Sequence, residues 1–211
     1  MTTVGGGLMI DRVARDVAWA VIGVAGAFGG IRVMEAFRPE VVADSGAPEH
    51  QGGLRELPRA YFFSAGAIVA SPVLGTSVRL PRSCAALGLV VEVGSIGLRV
   101  WAMRTLRGHY ARTLRVVDGQ PVIRDGPYRF VRHPGYLSVL LLWAGAALTA
   151  RNAVAPALAL TAVGTAYQHR MDAEDALLRR ELPGYAEYAA TTGRVLPWPG
   201  TVTAALGRPR V

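Results

Sequence analysis

Several long apolar runs, almost free of charge along their lengths, are strung along this chain and restrict its possible folds more than any other feature. They cover about residues 17–37, 60–78, 83–105, 136–150 and 153–167. Lipid requires long segments with few or no charges, because the hydrocarbon offers them neither water nor counterions. With 51% hydrophobic residues in 211, a core of ordinary size is available, yet the arrangement in runs makes a water-soluble globule the weaker reading. The expected fold is all-α, a polytopic membrane bundle of about five transmembrane helices forming a single domain over residues 1–211. Residues 1–106 contribute three helices, and residues 107–211 a helical hairpin and a polar tail.

The charge pattern agrees with a membrane location. The formal net charge is +8 and all 23 basic residues are Arg, so a nucleic acid or an anionic membrane is a conceivable partner. The arginines concentrate beside apolar runs, from Arg99 to Arg132 and from Arg170 to Arg194. That fits cytoplasmic juxtamembrane loops better than a groove for nucleic acid, so the expected partner is the bilayer. If the long loop is cytoplasmic, five spans put the amino terminus outside, although Arg12, Arg15, Arg79 and Arg82 argue mildly against this orientation. Arg-only basic usage in a Gly- and Ala-rich sequence points to a bacterial cytoplasmic membrane. Cys84 reads as a small buried residue, the four histidines show no metal-ligand spacing, and no cleavable signal is evident.

Individual runs carry further detail. Gly23, Gly26 and Gly30 recur at helical spacing and let another helix approach closely. Residues 38–59 read as a polar connection. Pro72 lies inside the second run and is expected to bend its helix. Glu92 is the one acid deep in the third run, with Arg99 two turns on along the same face. An ion pair inside the bundle and a role at a substrate both remain open for it. The last two runs, around Arg151-Asn152, form a helical hairpin whose arms borrow flanking residues, His133-Pro134 at one end and 168–170 at the other. Charged helix continues to about Glu181, and a short helix follows Pro183-Gly184.

Two clusters carry chemistry. Residues 120–136 crowd turn residues, rings and cations just before an apolar helix: Asp125-Gly126-Pro127 makes a turn, and Pro134 suits a helix start. Tyr167, Arg170 and Glu174, spaced three and four apart, share one face of a helix leaving the membrane. The hairpin returns them to the side where His133 and Tyr136 emerge, which gathers a cation, an acid, an imidazole and a phenol at the interface.

In Gly126-Pro127-Tyr128, Arg132-His133-Pro134-Gly135-Tyr136, Arg170-Met171-Asp172-Ala173-Glu174-Asp175 and Tyr185-Ala186-Glu187-Tyr188, the chain resembles the isoprenylcysteine carboxyl methyltransferases and their bacterial relatives. Phospholipid methyltransferases resemble it more distantly. The resemblance covers residues 98–197. It implies a carboxyl-terminal half that binds S-adenosyl-L-methionine from the cytosol, with S-adenosylhomocysteine as product, while a lipophilic or prenylated acceptor enters from the bilayer. Matching motif positions carries cofactor contacts onto Gln120, Pro121, Val122, Ile123, Tyr128, His133, Pro134, Gly135, Tyr136 and Glu174, with Thr113 a further position. Arg170, Glu174 and Tyr128 then form the expected catalytic set, and Arg170, Tyr167 and Glu92 the acceptor side. Asp175 departs from the family's usual second Glu, and no amino-terminal motif matches. A nicotinamide-dependent membrane reductase and a non-enzymatic lipid-binding scaffold are the alternative readings.

Overall fold

The computed structural model describes residues 4–37, 56–74, 79–106 and 121–197. Their regular structure is helical: α1 (Val4–Ala36), α2 (Glu56–Ala70), α3 (Arg82–Leu106), a 3-10 turn (Gly126–Arg129), α4 (Pro134–Thr149), α5 (Val154–Glu181) and α6 (Tyr185–Thr191). The third run emerges within one residue of its expected ends. Helix α4 does begin at Pro134, and α5 runs on past residue 170 to Glu181. Most of the expected 38–59 connection lies outside the described residues, but residues 56–59 already belong to α2.

Two expectations about boundaries are corrected. Helix α1 starts at Val4 rather than near residue 17, passing through Gly5 to Gly7. Pro72 ends α2 rather than bending it: the helix stops at Ala70 and a turn follows over residues 71–74. Proline lacks an amide hydrogen and disfavours helical backbone in the residue before it, here Ser71. The Ser71 hydroxyl turns back instead to the Ile68 carbonyl, at 2.8 Å.

Neighbouring helices alternate in direction. Helix α4 is the centre, with α1 and α3 antiparallel to it: Gly23 and Gly30 of α1 lie against Thr149 and Leu142, while Gly88 and Arg99 of α3 reach Gly145 and Gly135. Helix α2 runs against α5 from the Ser71–Asn152 contact to the Glu56–His169 pair. Gly23, Gly26 and Gly30 thus do admit close neighbours. So do Gly88 and Gly145, which lie so close that a Cβ on either would stand 2.6 Å from the other's carbonyl oxygen.

The outward surfaces of these helices are apolar. Helices α1 and α3 contain stretches, Met9–Ala36 and Arg82–Leu106, long and apolar enough to cross a membrane, and only 28% and 22% of their apolar windows are buried. Val90, Val93 and Phe62 are largely exposed, at 67%, 69% and 71%. A soluble core helix hides such residues, whereas contiguous exposed apolar surface marks a lipid-facing belt. The protein is an all-α membrane protein.

Replacing Gly145 by Val tests the close α3–α4 contact. It is expected to destabilise the detergent-solubilised protein by about 1–3 kcal/mol through overpacking. Gly94→Val, at a glycine with nothing within 4 Å of its Cβ position, is expected to leave the melting temperature unchanged or raise it. Equal effects of the two would contradict the packing described.

Candidate active site

Where α4 begins and the charged half of α5 emerges, a polar network closes one end of the bundle. Its hub is Asp175, whose side chain is only 4% exposed. Oδ1 accepts from Tyr185 at 2.5 Å and lies 2.9 Å from His133 Nε2, and Oδ2 accepts from Arg132 and Arg194 at 3.0 and 2.9 Å. Burial alone raises the Asp175 carboxyl, but hydrogen bonds from His133 and Tyr185, the charge of His133 and a hydrogen bond from Arg132 outweigh it. The group is held well below its ordinary 3.8. Burial and the Asp175 carboxylate push the Tyr185 hydroxyl well above its ordinary 10.0.

The network also fastens the chain that follows α6. Val131 pairs with Gly193, and the amides of Arg132 and His133 donate to the carbonyls of Gly193 and Arg194 at 2.8 and 2.9 Å. Arg132 Nη1 donates further to the carbonyls of Ala189 and Thr192. Tyr188 donates to the Tyr128 carbonyl, and Val122 packs on the Leu182, Tyr185 and Tyr188 cluster. Gly184, in left-handed backbone at φ 81°, makes the turn that brings α6 back.

Beside the hub runs a file of rings. His133 stacks on Tyr136 with centroids 5.3 Å apart, and Tyr136 meets Tyr167 at 4.9 Å with the rings tilted by 35°. The Tyr167 hydroxyl meets that of Tyr61 on α2 at 2.6 Å, and Tyr61 stacks on Trp143. The Tyr136 hydroxyl accepts from Arg170 Nε at 2.9 Å and donates to Glu174 Oε2, so a phenol bridges the cation and the acid. Arg170 is 5% exposed, whereas the Glu174 side chain keeps 28% of its surface open. An accessible carboxylate backed by stacked rings complements a ligand carrying positive charge.

The expected residues therefore divide. His133, Pro134, Gly135, Tyr136, Tyr167, Arg170 and Glu174 come together. Tyr128 is buried on the adjoining 3-10 turn, and Pro121, Val122 and Ile123 lie in the segment without regular structure that leads to it. Thr113 and Gln120 lie outside the described residues. Glu92 is not brought to this cluster. It packs against Gly26 and Gly145, roughly 14 Å along α4 from Tyr136 at 1.5 Å per residue, and its Oε1 is buried with no hydrogen-bond partner. The Glu92–Arg99 ion pair left open above does not form. Arg99 reaches the Gly135 carbonyl at 2.9 Å, too far along α3 from Glu92 to meet it. Sequence reasoning treated Asp175 only as a departure from a motif and gave no role to Tyr185 or Arg194. The adjacent acids Glu174-Asp175 and adjacent cations Arg132-His133 were the signal that could have found the hub.

An all-helical membrane bundle with a polar, aromatic-lined site at one end is the class defined by this fold. Residues 86–180, from α3 to α5, match the model of the isoprenylcysteine carboxyl methyltransferase (ICMT) family. The protein YpbQ of Bacillus subtilis (strain 168), described as uncharacterized, is 32% identical over 56 residues. That match spans 26% of this chain and 33% of the relative's length.

Asp175→Asn is expected to destabilise the protein by about 3–5 kcal/mol, because it leaves buried cations without their counter-charge. The folded-state carboxyl lies below its unfolded value, so its contribution is full above about pH 5 and is lost progressively as pH falls from about 4 toward the folded-state value. Thermal melts from pH 3 to 7 should show this acid arm in the parent protein and a flattened one in the variant.

Proposed function

We propose that the protein transfers a methyl group from S-adenosyl-L-methionine to a lipophilic acceptor, a carboxylate or thiol of an isoprenoid-like molecule, at the cytosolic face of the membrane. The observation that carries this reading is the Arg170–Tyr136–Glu174 bridge: a part-open carboxylate and a guanidinium held on either side of a phenol, where an apolar bundle meets a charged cap. The match of residues 86–180 to the methyltransferase family model supports it. The proposed bundle crosses the bilayer five times, through α1 to α5.

In this reading Glu174 accepts hydrogen bonds from the ammonium or ribose of the cofactor, and Tyr136 and His133 give it an aromatic wall. Pro121, Val122, Ile123 and Tyr128 line the approach, with Gln120 and Thr113 contributing from the preceding segment. The residues fit such a group: the ligand is cationic, and the open carboxylate lies among rings rather than among free bases. S-adenosyl-L-methionine supplies an activated methyl group and leaves as S-adenosylhomocysteine. Arg170 holds the acceptor through its planar fork, and Tyr167 continues the apolar wall toward the bilayer. Alignment is the main contribution of the site, since well-oriented reactants gain up to roughly 7–11 kcal/mol over free encounter. A carboxylate or thiolate acceptor needs no proton removed by the protein. Glu92, embedded among α1, α3 and α4, shapes the depth at which an acceptor chain can lie.

Calorimetric titration of the detergent-purified chain with S-adenosyl-L-methionine tests the reading. Glu174→Gln should weaken binding by about 1.5–3 kcal/mol, tenfold or more in Kd. Arg170→Lys should retain that affinity while turnover on lipophilic acceptors falls by about 10²-fold, since the reacting groups lose their alignment. Binding of a reduced nicotinamide cofactor, with none of S-adenosyl-L-methionine, would turn the assignment to a membrane reductase.

A further inference from the structure

At the opposite end of the bundle, about 20 Å along α4 from Tyr136 at 1.5 Å per residue, a cavity of about 540 Å³ opens between the amino-terminal half of α1, the approach to α3 and the α4–α5 turn. Its walls carry Arg12, Arg15, Arg79, Arg82 and Arg151, and Asp16 is the acid among the lining residues. Asp16 is already engaged, by Arg79 at 3.3 Å and Arg151 at 3.2 Å. Arg15 turns to the Asp11 carbonyl. Arg12 and Arg82 form no hydrogen bond or ion pair among the described residues, so the cavity holds a large surplus of positive charge.

Folding alone does not call for this arrangement. Arg151 adopts left-handed backbone, φ 56°, where glycine or asparagine would be unstrained. The capping work of the turn belongs to Asn152, whose side-chain oxygen accepts from the amides of Val154 and Ala155 at 2.8 and 3.3 Å. The Arg151 carbonyl takes the Leu80 amide at 2.8 Å, and Arg79 pairs with Asn152. The two loops are thereby joined and the guanidinium groups of Arg79 and Arg151 are held in place. The Arg151 Nε is buried with no hydrogen-bond partner.

The position says what the charge meets. Trp19 lines the same cavity, about a third exposed, as an indole is at the level of lipid headgroups. The cavity lies one apolar helix length from the candidate active site, which is the far boundary of the lipid-facing belt. Arginine's weakly hydrated, planar fork matches a phosphate oxygen pair. Five arginines gathered at one boundary of the apolar belt attract the anionic lipids of the leaflet they face.

We propose that this cavity binds the phosphate headgroup of an anionic phospholipid in the leaflet opposite the candidate active site. The phosphate diester enters between Arg12 and Arg82, over the Arg151–Asp16–Arg79 cluster, while the acyl chains lie along the exposed apolar face of α1. The reading does not depend on the reaction at the other end of the bundle.

Native mass spectrometry of the detergent-solubilised full chain tests it, with dioctanoyl phosphatidylglycerol, dioctanoyl phosphatidylcholine and inorganic phosphate as probes. Saturable retention of the glycerol lipid is expected, at least tenfold tighter than of the choline lipid. The double variant Arg12→Gln/Arg82→Gln should lose that preference at an unchanged melting temperature, because neither side chain has a hydrogen-bond or ion-pair partner among the described residues. Arg151→Gly, which suits the left-handed backbone, should weaken retention as well. Equal retention of both lipids, or an undiminished preference in the variants, overturns the proposal. Displacement of the glycerol lipid by an equal concentration of inorganic phosphate would make the cavity a site for soluble phosphate and overturn the lipid assignment.

Discussion

A buried carboxylate at a membrane boundary is expensive to desolvate, and it persists only where the surroundings return at least as much as water did. Asp175 meets that condition with two guanidinium groups, an imidazole and a phenol. Those partners come from three places: the loop ahead of α4, the turn into α6, and the chain beyond it. The position of each chemically active residue nearby follows from this. With Asp175 anchored, His133 cannot swing outward, Arg132 draws the end of α6 inward, and Tyr136, two residues into α4, is presented to Arg170 and Glu174. A network of this kind rigidifies its site, because loosening any one member exposes the others' unpaired charge.

The interior of the bundle is held by a different force. Lipid tails are as apolar as leucine, so helices there gain little from hiding apolar side chains and depend instead on close contact. Glycines on α1, α3 and α4 supply it, letting the backbones of Gly88 and Gly145 touch. The aromatic file from Trp143 through Tyr61, Tyr167 and Tyr136 to His133 links the two regimes, with an apolar body in the bundle and polar edges in the cap. Its hydroxyls are paired with one another or with Arg170 and Glu174, as burial demands of them.

The two ends of the bundle differ in electrostatic character. At the candidate active site positive and negative groups are closely matched and one acid, Glu174, remains part-open. At the other end arginines outnumber the acid, and their charge awaits an anion. A cationic ligand is therefore favoured at the first end and an anionic one at the second, which gives the molecule a chemical polarity across the membrane that its helices alone do not have.

Local physics made much of this readable from the sequence. Apolar runs, the Arg151-Asn152 break and Pro183-Gly184 located α3, the hairpin and α6, because apolar composition and turn chemistry act over a few residues. Helical spacing put Tyr167, Arg170 and Glu174 on one face, and family motifs singled out His133 and Tyr136. What the sequence left undecided was every pairing across distance: Asp175 with Arg132, His133 and Tyr185, Arg99 with Gly135 instead of Glu92, and Asp16 with Arg151 across 135 positions. Two arginines of similar surroundings look alike in a string, and only the packing of helices decides which carboxylate lies within reach of each. The end of α2 at Pro72 belongs to the same class, since a membrane proline is a kink or a stop according to whether neighbouring helices satisfy the carbonyls it releases.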